Sequence, residues 1–117
     1  MLMRGIERKN NPQEEGGMFF ITCFCKVAKD DFGWLDIGDS RTFGYYDSFE
    51  EADKMVKKNH CDMHETIYHY AVIEHIGIGI HSRRKERWFY KYDKTKGEFL
   101  PIKEPEEFKH CYNIALG

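Results

Sequence analysis

The sequence predicts an α+β fold: a mostly antiparallel sheet with one main helix packed on a face and a short C-terminal helix. Three observations carry this. Several segments alternate apolar and polar residues with the period of a strand. One segment between them has helical spacing and an N-terminal cap. The connections between successive strand segments are mostly short, which suits antiparallel neighbours.

The folded part is expected to begin at "MFFITCFCKV", residues 18–27. Phe19, Ile21, Cys23, Cys25 and Val27 fall on one side of such a strand, and Phe20, Thr22, Phe24 and Lys26 on the other. Aromatic residues on both faces indicate a central strand. "AKDDFGWLDIGDS" then reads as a long loop rich in Asp and Gly, and "RTFGYY" (Arg41–Tyr46) as a strand in which Gly44 marks a bulge or a point of close approach. Ser48 and Glu51 form a capping box, and Phe49, Ala52 and Val56 give a helix of about three turns ending near Asn59. "TIYHYAVIEHI" (66–76) is strand-like, "GIG" at 77–79 interrupts it, and "HSRRK" makes a charged connection. "ERWFYKYDKTKGEFLPI" (86–102) reads as a hairpin turning at Asp93–Gly97, where glycine supplies a positive φ. Pro105 suits the first position of a short helix through Lys109, and "CYNIALG" reads as an edge strand or a core cover.

With 117 residues, the chain suits one domain over 18–117, preceded by a polar segment, 1–17, expected to be a flexible extension. A net charge of −2 argues against a general polyanion binder, so no extended nucleic acid is expected. The charge is unevenly distributed. Residues 28–53 hold eight acids and two bases, whereas 81–103 hold eight bases and three acids. Four scattered cysteines and the lack of an apolar run near the roughly 20 residues of a membrane span point to a cytoplasmic protein with reduced thiols and no membrane partner. Aromatic residues are 15% of the chain, a surplus for one small core that favours a homo-oligomer.

Two candidate sites stand out. In the 86–102 hairpin, Trp88, Tyr90 and Tyr92 share one strand face and Arg87, Phe89 and Lys91 the other. If the second face is accessible, Phe89 offers a stacking ring between two cations, as a base with a phosphate requires. Arg41 and Phe43 repeat that pairing, so Arg41, Phe43, Arg87, Phe89 and Lys91 form the candidate ligand-binding set. The simpler reading is that cationic stems cover exposed sheet. The second candidate is the acidic loop, where Trp34 with Asp30, Asp31 and Asp36 suits a basic protein surface and the tryptophan is a natural hot spot.

Other chemistry finds less support. His60 and His64 with Cys61 and Asp62 give part of a metal-ligand set but no matching second half, so no metal and no cofactor are expected. Cys23 and Cys25 lie in an apolar strand that disfavours a thiolate, and no phosphate-loop pattern occurs. The residues assign no catalytic role.

"YAVIEHI", "RWFYKYDKTKG" and "EPEEFKHCYNIALG" resemble segments of small proteins encoded by phages and prophages of Gram-positive bacteria. The resemblance runs from about Met18 to Gly117 and carries no catalytic motif. It implies an accessory protein acting in the host cytoplasm against host defence. The expected function is non-enzymatic sequestration of a nucleotide-derived signal or a similar small anionic ligand. The alternatives are occlusion of a host-defence protein through the acidic aromatic loop, and a small nucleotide hydrolase.

Overall fold

The computed structural model describes residues 17–77, 84–109, 111 and 114–115. The expectations for the N-terminal extension, for the link at 78–83 and for most of the C-terminal end therefore lie outside the described residues. Five strands form one antiparallel sheet: β1 (Met18–Phe24), β4 (Ser40–Tyr46), β5 (Tyr70–Ile76), β6 (Arg84–Asp93) and β7 (Glu98–Ile102), in the order β4-β1-β5-β6-β7. A two-stranded hairpin, β2 (Ala28–Lys29) with β3 (Leu35–Asp36), stands apart from it. Helix α1 (Phe49–Lys57) and two 3-10 turns, His60–Asp62 and Glu106–Phe108, complete the elements among the described residues. The α+β architecture expected from the sequence is the one observed.

Alternation fixes the two faces of the sheet. Ile21 pairs with Ile73, which pairs with Trp88; Cys23 pairs with Ala71, which pairs with Tyr90. All of these belong to the core on the helix face, where Ala52 and Val56 of α1 are fully buried against them. The helix starts where expected, with Ser48 Oγ accepting a hydrogen bond from the Glu51 N–H at 3.2 Å. Asp53 on its flank accepts from the Tyr90 hydroxyl at 2.6 Å and pairs with Lys57 at 3.0 Å. Burial, followed by the Asp53 hydrogen bond, raises the Tyr90 phenol far above its usual range.

The opposite face carries a second core. Phe24, Val72, Phe89 and Phe108 are buried there, with Leu35 and Ile37 from the hairpin and Cys111 and Ile114 from the C-terminal segment packed around them. Fully burying each of these large rings stabilises the fold by roughly 1.5–3 kcal/mol. Phe108 reaches this core from the 3-10 turn. Pro105 occupies the N-cap position rather than the first helical one, since its extended ψ of 141° keeps it outside the turn.

A buried charge cluster ties that C-terminal segment down. Glu74 is fully buried in β5 and accepts hydrogen bonds from the backbone N–H groups of Ile114 and Ala115 at 2.8–3.0 Å. Arg87 lies across from it in β6. Its Nη2 donates to the Phe108 carbonyl at 2.7 Å and its Nε to Glu104 at 3.2 Å. Its Nη1 stands 3.7 Å from Glu74 Oε2, with no hydrogen-bond partner among the described residues. Burial works to lower the Arg87 pKa, but the Glu104 hydrogen bond and charge outweigh it, and the net shift is upward.

Candidate functional site

The β2–β3 hairpin is where the fold departs most from the sequence reading. Residues 28–40 were expected to form one long loop; they contain a compact turn instead. Asp30 makes it. Its Oδ1 accepts from the N–H groups of Phe32 (2.9 Å) and Trp34 (3.0 Å), its N–H donates to the Trp34 carbonyl at 2.9 Å, and its carbonyl accepts from Gly33 at 3.0 Å. Gly33 takes a φ of +83°, which costs glycine little. At the base, Asp36 Oδ1 accepts from the Gly38 N–H at 3.0 Å and Oδ2 pairs with Lys26 at 3.1 Å. The Lys26 hydrogen bond, then that of Gly38, hold the Asp36 carboxyl below its usual range. The hairpin root is further fixed by Cys25 and Lys26 N–H groups donating to the Ile37 carbonyl.

The turn directs two large rings outward. Phe32 is 85% exposed and Trp34 71%, the most exposed large apolar side chains among the described residues. Leu35, between Trp34 and Asp36, packs inward on the second core. Beside Trp34 lies a cleft of about 360 Å³, lined by Lys29, Gly33, Trp34, Leu35, Glu107 and Cys111. A rigid apolar projection thus sits next to a recess, on the acidic stretch of the chain. Within the acidic set, Asp30 and Asp36 hold the turn through the bonds given above, while Asp31 is exposed at the tip.

The other candidate set fares differently. Arg87, Phe89 and Lys91 do share a face opposite Trp88, Tyr90 and Tyr92, as alternation requires. The accessibility expected of that face is corrected by the fold. Arg87 is 8% exposed and Phe89 2%, because the C-terminal segment and the hairpin root cover them. The Arg87 guanidinium is occupied by Glu104, Phe108 and Glu74, and Phe89 packs edge-on against Phe24 and tilted against Phe108. Lys91 is exposed, its ammonium 5.8 Å from the Tyr70 ring. Arg41 and Phe43 lie on the edge strand β4, the guanidinium 4.7 Å over the ring and bonded to Glu65 at 2.8 Å. The structure therefore separates Arg41 and Phe43, on β4, from Arg87, Phe89 and Lys91, on β6, with two strands between them.

The histidine stretch is a 3-10 turn, His60–Asp62, flanked by left-handed backbone rather than a continuation of α1. Asn59, Cys61, Asp62, Glu65 and Thr66 all have positive φ, between 46° and 62°. Non-glycine residues so placed cost of order 1–3 kcal/mol each and persist where their surroundings hold them. Here Asn59 Oδ1 accepts from the His64 N–H at 2.9 Å, Glu65 pairs with Arg41, and the His64 ring stacks on Tyr92 at 3.7 Å with Nδ1 2.7 Å from the Tyr68 carbonyl. His64 is thus buried and His60 exposed, so the two do not share a face. Among the described residues no three His, Cys, Asp or Glu side chains converge on a point suited to a metal ion. Cys23 is buried, and desolvation, helped by the charge of Glu65, pushes its thiol up to about 12.

No protein-family model, curated protein or solved structure matches this chain. Among the described residues no helix is long and apolar enough to cross a membrane.

Sequence reasoning passed over two residues. Phe32 stood in the quoted loop, and the spacing of Asp30 and Gly33 around it is a turn signal. Glu74 is the lone carboxylate in "YAVIEHI", and a charge in a central strand calls for buried partners.

Proposed function

We propose that this chain is a non-enzymatic binding protein that docks on another protein through the tip of its β2–β3 hairpin. One observation carries the reading: Phe32 and Trp34 are held outward by a turn that Asp30 fixes with four hydrogen bonds. Two large rings left in water forgo the stabilisation of burial, and a partner restores it without having to order the loop. Trp34 is the anchor, Phe32 extends it, and the neighbouring cleft receives a side chain from the partner. The acidic surroundings select a partner whose surface is apolar at the centre and basic at the rim. In the phage setting that the sequence resembles, such a partner is a host-defence protein that the hairpin occludes.

Sequestration of a nucleotide on β6 draws less support, since two of its five residues, Arg87 and Phe89, are core residues. The test is site-specific photo-crosslinking in cells that express the chain. A benzophenone side chain replacing Phe32 is expected to yield a discrete heterologous adduct that excess unlabelled chain competes away, whereas the same group replacing Ile67, exposed elsewhere, is expected to yield none. No adduct at position 32, or equal adducts at both, contradicts the reading. An adduct with a second copy of the chain would make the hairpin a self-association surface instead.

A further inference from the structure

A second cavity, independent of the hairpin, lies on the helix side of the edge strand. It holds about 240 Å³ and is lined by Ile21, Phe43, Gly44, Tyr45, Tyr46, Met55, His60, Cys61 and Met63. Three features of the chain shape it. The first is the bulge in β4: Ile21 pairs with Gly44 and Thr22 with Thr42, so Phe43 is an extra residue and the strand bends there. The second is Gly44 itself, where an added Cβ would meet nothing within 4 Å, so the wall is open at that point. The third is the left-handed segment at 59–66, which brings His60 and Cys61 to the lining.

The lining defines a ligand. Its aromatic and methionine side chains offer flat, polarisable surface. It contains no Asp, Glu, Lys or Arg, so a charged group entering it would lose water without gaining an ionic partner. It does contain polar groups of two kinds. His60 provides a ring nitrogen, and β4 is the end strand of the sheet, so one side of its backbone has no neighbouring strand among the described residues. The outer N–H and C=O groups of an end strand suit a molecule with an acceptor and a donor along one side, as they suit an added strand.

We propose that this cavity binds a neutral, planar heteroaromatic ring with a donor–acceptor edge, of the kind that nucleobases and cyclic amides carry. The charge of a phosphate is not recognised there, which distinguishes this site from the cationic platform that the sequence suggested.

Cys61 provides the readout. It is the exposed one of the four cysteines, and it lines the cavity. The experiment measures the rate of iodoacetamide alkylation at Cys61 and at Cys111 by peptide mass spectrometry, with adenosine, uridine, nicotinamide, AMP or toluene added to the full chain. At least one neutral heteroaromatic probe is expected to slow Cys61 by the factor 1 + [L]/Kd, about tenfold at ten times Kd. Cys111 should be unaffected, and AMP should bind no better than adenosine. Met55→Trp, which fills the cavity from the helix, should abolish the protection. If that variant does not fold, Tyr46→Ala, which removes one flat wall, should weaken the protection instead. The proposal is overturned if no neutral ring protects Cys61 at concentrations of about 1 mM. It is equally overturned if toluene protects as well as the heterocycles, or if AMP protects where adenosine does not.

Discussion

The two hairpins of this protein exchange the roles that their compositions suggest. β6–β7 concentrates rings and cations in a pattern suited to a ligand platform, yet Phe89 and Arg87 are enclosed beneath Glu104, Phe108, Cys111, Ile114 and the root of the other hairpin. β2–β3 has strands of two residues each, and it holds Phe32 and Trp34 in solvent. Alternation along a strand says which side chains share a face. Whether that face meets water depends on segments distant in sequence that pack across it. The exposure of an aromatic residue is therefore a tertiary property, and here it singles out the smaller hairpin.

The largest expected effects break this comparison on the β6–β7 side. Arg87→Ala removes the buried ion pair with Glu74 and the donor to the Phe108 carbonyl, so it should cost about 3–5 kcal/mol. Phe89→Ala should cost a similar amount, about 3–5 kcal/mol, through a cavity between Phe24 and Phe108. Chemical denaturation measures both. A loss near zero for either would mean that the C-terminal segment does not cover this face in solution.

Smaller effects sharpen the comparison on the other side. Phe32→Ala and Trp34→Ala each remove a ring that packs on little of the fold, and each should change stability by no more than about 0.5 kcal/mol. Lys91→Ala, on the exposed end of β6, should behave alike, since its contact with Tyr70 is a cation over a ring at 5.8 Å in water.

The smallest effect concerns pH and compares one carboxylate from each hairpin. Asp36 is held below its usual range first by the Lys26 hydrogen bond, and Asp93 first by the Thr95 hydroxyl. A carboxylate with a lowered folded-state pKa stabilises above its unfolded pKa, about 3.9, and loses that contribution as pH falls through the lower folded value. Stability should therefore decline below about pH 4. Asp93→Asn, which keeps an acceptor for Thr95 without a titrating group, should make that acid decline shallower. An unchanged acid limb would show that the Asp93–Thr95 bond does not persist in water.

Much of this fold was legible in the sequence because local rules decide it. The Ser48 cap, the faces of β1 and β6, and the turn at Gly97 each follow from a few neighbouring residues. What was not legible depends on distant ones. Nothing in "DDFG" (Asp30–Asp31–Phe32–Gly33) alone says that Phe32 finds no core, because that follows from where Leu35 and Ile37 are packed. The left-handed residues between Asn59 and Thr66 include no glycine, and contacts with residues distant in sequence, the Arg41–Glu65 pair and the His64–Tyr92 stack, help to hold them. The covering of Arg87 depends on Phe108, more than twenty residues away in sequence.

The central claim is that the hairpin tip, and not the β6 face, is the interaction surface. The most direct measurement compares the wild-type chain with the Phe32→Ala/Trp34→Ala variant, both immobilised and both shown to be folded, for specific retention of a protein from the cells that express it. A specific partner is one that free wild-type chain releases. The account predicts a discrete partner held by the wild type and lost from the double variant, with Lys91→Ala retaining it fully. Equal retention by wild type and double variant, or loss on Lys91→Ala alone, would contradict it.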